Sequence, residues 1–212
     1  MARYFDVHPH DPQPRAIAQA VAILREGGLI AYPTDSGYAV GGQIGDQRVK
    51  DRIRDLRRLD DRHHYTIMCR DFAQLAQFVH LDNWVFRLVK ASTPGPYTFI
   101  LPATKDVPKR LLHARKKTVG VRIPSHPVVS ALLAELGEPL LSSTLVLPGE
   151  EDPLTDGWDV KERLDHVLDA VIDSGDCGSA PTTVVDLSTG TPEVLRVGSG
   201  DTARFDAAGD LT

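Results

Sequence analysis

Short apolar segments alternate with longer amphipathic ones along nearly the whole chain, and this alternation limits the possible folds more than any other feature. Residues 11–26 read as a helix with Ile17, Ala20, Val21 and Leu24 on one face and Gly27 and Gly28 as its stop. Residues 29–32 form a short apolar strand ending at Pro33. Asp46 caps a second helix that turns Val49, Ile53 and Leu56 inward and its arginines outward. Residues 64–69 look like a strand, Asp71 caps a helix running to Val79, and 84–89 carries another. Strands follow over 97–101 and 119–123, with a basic stretch between them. A helix over 127–136 stops at Gly137. Apolar runs at 140–147 and 170–172 flank a helix around 160–168, and strands at 182–187 and 194–197 close the pattern. Strands and helices in this order predict an α/β fold on a mostly buried sheet with some antiparallel pairing. No break in composition divides the chain. It reads as one domain over residues 1–200, followed by a small, polar and loose tail over 201–212.

A chain of 212 residues buries enough surface to fold without staples. Its two cysteines, Cys69 and Cys177, exclude a disulfide framework and point to a reducing cytoplasm. The apolar runs fall far short of a membrane span, and Arg3, Asp6 and His8 interrupt the place where a signal peptide would need an apolar core.

The net charge of −5 argues against indiscriminate nucleic-acid binding, but the charge is segregated. Residues 48–62 hold seven Arg and Lys against four Asp, and residues 109–122 hold Lys109, Arg110, Arg115, Lys116, Lys117 and Arg122 with no acid. The two segments make one anion-facing surface if the fold joins them, and two solvated faces if it does not.

The sequence has no G-x-x-x-x-G-K-[ST] loop and no G-x-G-x-x-G after a strand, so ordinary P-loop and dinucleotide sites lose support. His63 and His64 are adjacent and would point apart on a strand, no cysteine pair has metal spacing, and Cys69 reads as a small apolar core residue. No protein-bound metal is expected. What remains is polar residues at strand ends, where ligands collect in open α/β sheets. They are the turn Thr34-Asp35-Ser36-Gly37-Tyr38, the rigid Thr93-Pro94-Gly95-Pro96-Tyr97-Thr98, Arg122 between apolar neighbours, the hydroxyls Ser142-Ser143-Thr144, Thr182-Thr183-Val184-Val185-Asp186, and Arg196. An arginine in mid-strand is costly to bury without an anion, either an Asp of the fold or a ligand.

Five motifs stand in the order and spacing of one family. They are Pro33-Thr34-x-x-x-Tyr38, Pro94-Gly95-Pro96-x-Thr98, Val121-Arg122-x-Pro124-x-His126-Pro127, Thr183-Val184-Val185-Asp186 and Leu195-Arg196-x-Gly198. From about residue 16 to 198 the chain resembles the YrdC/YciO family, and most closely its YciO branch. The resemblance implies a YrdC-like twisted, open, mixed α/β sheet with a basic concave surface. It also implies threonylcarbamoyl-AMP synthesis from L-threonine, bicarbonate and ATP with Mg²⁺, feeding threonylcarbamoyladenosine modification of tRNA. By the same resemblance a threonine-like ligand would meet Thr34, Tyr38, Arg122, Ser142 and Thr182. The nucleotide would meet Arg57, Arg58, Thr118, Thr144 and Arg196. Family members are associated with tRNA and double-stranded RNA, for which Lys109, Arg110, Arg115, Lys116 and Lys117 are the candidate contacts.

Two triplets depart from the synthases of the family. Their K-x-R is here Arg57-Arg58-Leu59, and their S-x-N is Thr144-Leu145-Val146. Leu and Val donate no hydrogen bond to a triphosphate, a loss of roughly 1.5–3 kcal/mol per charge-assisted bond. Two functions follow from the sequence: a nucleotide-handling enzyme of the synthase type, and an RNA- or nucleotide-binding relative without synthase turnover.

Overall fold

Period-two alternation runs through every central strand and assigns each of its two faces a different fate. In the computed structural model, which describes residues 1–60, 63, 65–113 and 115–206, ten strands form one twisted, open sheet. The strands are β1 (Arg3–Asp6), β2 (Ile30–Thr34), β3 (Gly37–Gln43), β4 (Thr66–Met68), β5 (Tyr97–Pro102), β6 (Thr118–Arg122), β7 (Leu140–Thr144), β8 (Ala170–Asp173), β9 (Thr183–Asp186) and β10 (Glu193–Arg196). Their order across the sheet is β1-β8-β2-β3-β7-β4-β6-β5-β9-β10. The β1–β8, β8–β2, β4–β6 and β5–β9 pairs are parallel and the others antiparallel.

Among the described residues seven α-helices flank the sheet: α1 (Pro14–Arg25), α2 (Gln47–Arg57), α3 (Phe72–Phe78), α4 (Asn83–Ala91), α5 (Pro127–Leu136), α6 (Gly157–Leu164) and α7 (Ala203–Asp206). Asp46, Asp71 and Asp156 cap α2, α3 and α6 by accepting backbone N–H bonds, from Arg48, Gln74 and Asp159 respectively. Pro127 opens α5, and Gly137 in the left-handed region closes it.

One face of the sheet packs along its whole width. Val40, Ile67, Phe99, Leu101, Val119, Val121, Leu141 and Val185 meet Val49 and Ile53 of α2, Leu75 of α3, Val85 and Val89 of α4, and Val160 and Leu164 of α6. The other face is covered at one end only. There Ile17, Ala20, Val21 and Leu24 of α1 and Val128, Val129, Leu132 and Leu133 of α5 pack on Ile30, Tyr32, Ala39, Leu140 and Met68. Among the described residues, the core cluster built by α1 and α5 on that face ends at Met68. The alternate residues Thr66, Thr98, Ile100, Gly120, Arg122 and Val184 therefore form an open floor instead of a core.

Several elements differ from the sequence reading. The turn region after Pro33 is a full strand, β3, and β2 continues through Pro33 to Thr34. Tyr38 stands opposite Pro33, gives its N–H to the Leu154 carbonyl and accepts from Leu145 N–H, so it faces away from β2. Pro33 thus sits in a non-hydrogen-bonded pair, where its missing N–H costs no ladder bond. β1 and a 3₁₀ turn at Lys109–Leu111 were not read from the sequence, and α6 ends at Leu164, short of the expected 168. The chain is not loose from 201 to 206, because Phe205 is 2% exposed and packs edge-on to Tyr97 and Phe99. The rest of the expected tail, and the start of the expected strand at His64, lie outside the described residues.

Candidate functional site

The uncovered floor carries a pocket of about 320 Å³. Its lining comes from five regions far apart in the chain. Arg57 arrives from the end of α2, His63 and Thr66 from the approach to β4 and its first residue, and Thr98 and Ile100 from β5. Ser143 and Thr144 come from β7, and Thr182, Val184, Leu195 and Arg196 from β9, β10 and the turn before β9. A narrow annex, lined by Ala39, Thr66, Met68, Thr98, Arg122, Ser142, Ser143 and Thr144, continues beneath it. Tyr32 donates its hydroxyl to Ser142 Oγ at 2.8 Å, across β3. Gly41 makes this possible, since a Cβ there would lie 2.7 Å from the Tyr32 oxygen.

Three arginines give the site its character. Arg57 donates to Ser143 Oγ at 2.6 Å and to the Val146 carbonyl at 3.3 Å. Arg196 donates through Nε and Nη2 to the Thr182 carbonyl at 3.0 and 2.9 Å, and through Nη2 to Thr182 Oγ1 at 2.9 Å. Neither has an acidic partner among the described residues. Burial and then the charge of Arg196 pull the Arg57 pKa down to about 10, and burial and then Arg122 lower that of Arg196. Arg57 thus senses the charge of Arg196, and Arg196 that of Arg122.

Arg122 is 3% exposed and differs from the other two. Its Nη2 bonds to Asp35 Oδ1 in a short ion pair, and Ser125 Oγ donates to Asp35 Oδ2 at 3.1 Å. Burial lowers its pKa, with Asp35 opposing. Its Nε is buried with no hydrogen-bond partner among the described residues. An unmet charged donor at this depth is costly, and an incoming acceptor is the ordinary remedy. Two guanidiniums bound to neutral oxygens and a third with a spare donor, set among hydroxyls and the aliphatic Ile100, Val184 and Leu195, have the chemistry to take a small polar anion.

The structure brings together Arg57, Arg122, Ser142, Thr144, Thr182 and Arg196 from the residues singled out in the sequence. It places the others elsewhere. Thr34 Oγ1 donates to the Gly37 carbonyl at 2.7 Å and accepts from Ser36 N–H at 3.1 Å, so it holds the β2–β3 turn. Tyr38 lies on the opposite face of the sheet, its hydroxyl donated to Asp173 at 3.1 Å. Arg58 is the exposed, left-handed cap of α2. Thr118 shares a face of β6 with Arg122 but does not line the pocket. Leu59 packs on the hydrophobic core rather than into the pocket. His63 and Thr66 were missed as lining residues. Thr66 is signalled by its alternation with Ile67, whereas nothing in the sequence marks His63.

The two basic segments do meet. Lys50 of α2 donates to the Arg110 carbonyl at 2.7 Å, and Arg110 donates to the Gly45 carbonyl. Part of their charge is neutralised locally: Lys116 pairs with the buried Asp186 at 3.2 Å, Arg48 with Asp46, and Arg54 with Asp51 and Asp55. Lys109, Arg115 and Lys117 are exposed.

Comparisons with known proteins fit this geometry. The Sua5/YciO/YrdC family model, described as "Telomere recombination", matches residues 22–198. The Escherichia coli protein YciO, itself uncharacterized, is 50% identical over 205 residues, covering 97% of this chain and all of the relative. The crystal structure of E. coli YciO superposes with a TM-score of 0.94 at the same identity, covering 97% of this chain and 100% of that one. A threonylcarbamoyl-AMP synthase of Bacillus subtilis is 29% identical over 91% of this chain, which spans 55% of the synthase's length. The crystal structure of P. abyssi Sua5 complexed with L-threonine matches with a TM-score of 0.84 and 27% identity, covering 92% of this chain and 57% of Sua5. Among the described residues no helix is long and apolar enough to cross a membrane.

Proposed function

The chain belongs to the Sua5/YciO/YrdC family, and we propose that its pocket binds an amino acid beside a nucleotide phosphate and runs threonylcarbamoyl-AMP synthase-type chemistry linked to tRNA modification. The observation that carries this reading is the convergence of Arg57, Arg122 and Arg196 on a hydroxyl-lined pocket and its annex, with Arg122 paired to Asp35. The synthase relative and the threonine complex of Sua5 supply the substrate class.

In the proposed reaction the amine of L-threonine and bicarbonate give a carbamate and water. A carbamate oxygen then attacks the α-phosphorus of ATP and pyrophosphate leaves. The chain's part is positioning and charge neutralisation. Arg122 Nε takes the amino-acid carboxylate, while Ser142, Thr98 and Thr182 orient its polar atoms. Arg57 and Arg196 hold the phosphate that stays with the adenylate. Mg²⁺ would enter on ATP and offset the charge of the leaving pyrophosphate. Mg²⁺ of this kind takes most of its ligands from phosphate oxygens and water.

Pyrophosphate release tests the reading. With ATP and Mg²⁺, the protein should release pyrophosphate only when L-threonine and bicarbonate are both present, and Arg122→Ala should abolish release. Release independent of threonine, or none from the folded protein, overturns synthase chemistry.

A second reading rests on the contact between Lys50 and Arg110, which joins the two basic segments into one surface. That surface suits the phosphate backbone of tRNA or double-stranded RNA, with Lys109, Arg115 and Lys117 as exposed cations and Arg110 and Lys116 held to the body of the protein.

A further inference from the structure

The pocket has two electrostatic compartments. The outer one holds Arg57 and Arg196, both bound only to neutral partners: a serine hydroxyl, backbone carbonyls and a threonine hydroxyl. Among the described residues it carries two arginine charges and no acid. The annex ends at Arg122, whose charge is already matched by Asp35. Asp35 is itself held by Ser125, and its side chain remains 15% exposed.

The same anion fares differently in the two places. In the outer compartment a phosphate meets two cations. In the annex a bare anion meets a guanidinium whose charge Asp35 already pairs, so the net attraction is small while the ion still loses its water. A zwitterion loses nothing by this arrangement. Its carboxylate can take the spare Nε donor of Arg122, and the charge of its ammonium is attracted by the carboxylate that pairs with the same guanidinium.

We propose that Asp35 is a specificity-determining residue, which turns the Arg122 end of the pocket from a general anion site into one selective for α-amino acids. The inference rests on the reading of the pocket given above and adds the group that enforces its choice of substrate. It also separates the labour of the three arginines: Arg122 with Asp35 reads the amino acid, and Arg57 with Arg196 reads the phosphate.

Titration calorimetry with L-threonine and with 2,3-dihydroxybutanoate, in which a hydroxyl replaces the ammonium, tests it. The wild-type protein should prefer threonine by at least about tenfold, the effect of one charge-assisted contact. Asp35→Asn should bring the two ligands to within about threefold, by weakening threonine and strengthening the hydroxy acid. Ser125→Ala, which leaves Asp35 charged but removes its brace, should give an intermediate ratio and guards against misfolding of the first variant. Equal binding of the two ligands by the wild type, no threonine binding at all, or an unchanged ratio in both variants would overturn the inference. Threonine preference that depends on Asp35, in a protein that releases no pyrophosphate, would sustain it while refuting the synthase reading.

Discussion

Arg196 is held to Thr182 by three hydrogen bonds, two to its carbonyl and one to its hydroxyl, and Thr182 Oγ1 lies 3.1 Å from Thr98 Oγ1. The guanidinium is thus fixed by neutral oxygens, which orient it without cancelling its charge. Arg196→Gln keeps a donor for the Thr182 carbonyl but removes the charge. It should weaken binding of an anionic ligand at least about tenfold while moving the melting temperature little. Phosphate titration followed by intrinsic fluorescence, with thermal melts alongside, measures both effects.

Arg57 sets a pH limit on the site. Burial and Arg196 hold its pKa near 10, below the ordinary arginine value. Anion binding needs the cation, so affinity should be constant across neutral pH and decline as pH rises through about 10. The sign for stability is the opposite. Between about 10 and the ordinary value the unfolded chain binds more protons than the folded one, so this group's contribution to stability rises with pH there. Below about 10 the cost of holding the buried cation is fully present. Arg57→Gln should therefore match or exceed the wild type in melting temperature at pH 8, and that difference should shrink above pH 10. Phosphate should raise the melting temperature of the wild type but hardly that of the variant, by the linkage of ligand to fold.

Tyr38 offers a contrast within the same motif. Its hydroxyl serves Asp173, which also accepts from Tyr4, on the face away from the pocket. Tyr38→Phe should cost about 1–3 kcal/mol of stability by leaving a carboxylate short of a donor, with ligand affinity unchanged. Chemical denaturation and calorimetry on the same variant separate the two. Burial also raises the pKa of Tyr32 to about 12 and pushes those of Tyr38 and Tyr4 above the usual range. The folded state then keeps protons that the unfolded chain loses, so these residues' contribution is complete below about pH 10 and is lost as pH rises further.

Arg58 stands next to Arg57 in the chain but at φ 50° and exposed, as the cap that ends α2. A left-handed cap favours glycine. Arg58→Gly should leave anion binding unchanged and hold or raise the melting temperature, which distinguishes it from Arg57→Gln in a single comparison.

The basic surface makes its own prediction. Lys109→Glu with Lys117→Glu should weaken double-stranded RNA binding sharply and flatten its dependence on salt, without altering amino-acid binding. Filter binding across a salt series shows whether these residues contact phosphate. Unchanged binding would remove the RNA reading.

The sequence disclosed the elements that carry local punctuation. Pro127 and Gly137 delimit α5, and Asp46 and Asp71 cap α2 and α3 as their positions suggest. The strand β3 was hidden because Gly37, Gly41 and Gly42 resemble a loop, and their role appears only in the fold, where Gly41 makes room for Tyr32, Gly42 for Val49 and Gly37 for Pro153. The position of Arg122 between apolar neighbours called for an anion, and the fold supplies Asp35 while leaving Nε unmet. Thr34 and Tyr38 share a motif with Asp35, but the β2–β3 turn and the pleat send their hydroxyls elsewhere. His63 could not be foreseen, since its place in the pocket depends on how α2 returns to β4. The convergence of Arg57, Arg122 and Arg196 joins residues far apart in the chain, and no local pattern encodes it.

The most direct test of the three-arginine pocket is titration calorimetry of AMP into the wild-type protein, Arg57→Gln, Arg196→Gln and the double variant. Binding should weaken at least about tenfold in each single variant and further in the double, and it should fall as salt rises. Equal AMP affinity in all four folded proteins would contradict the account.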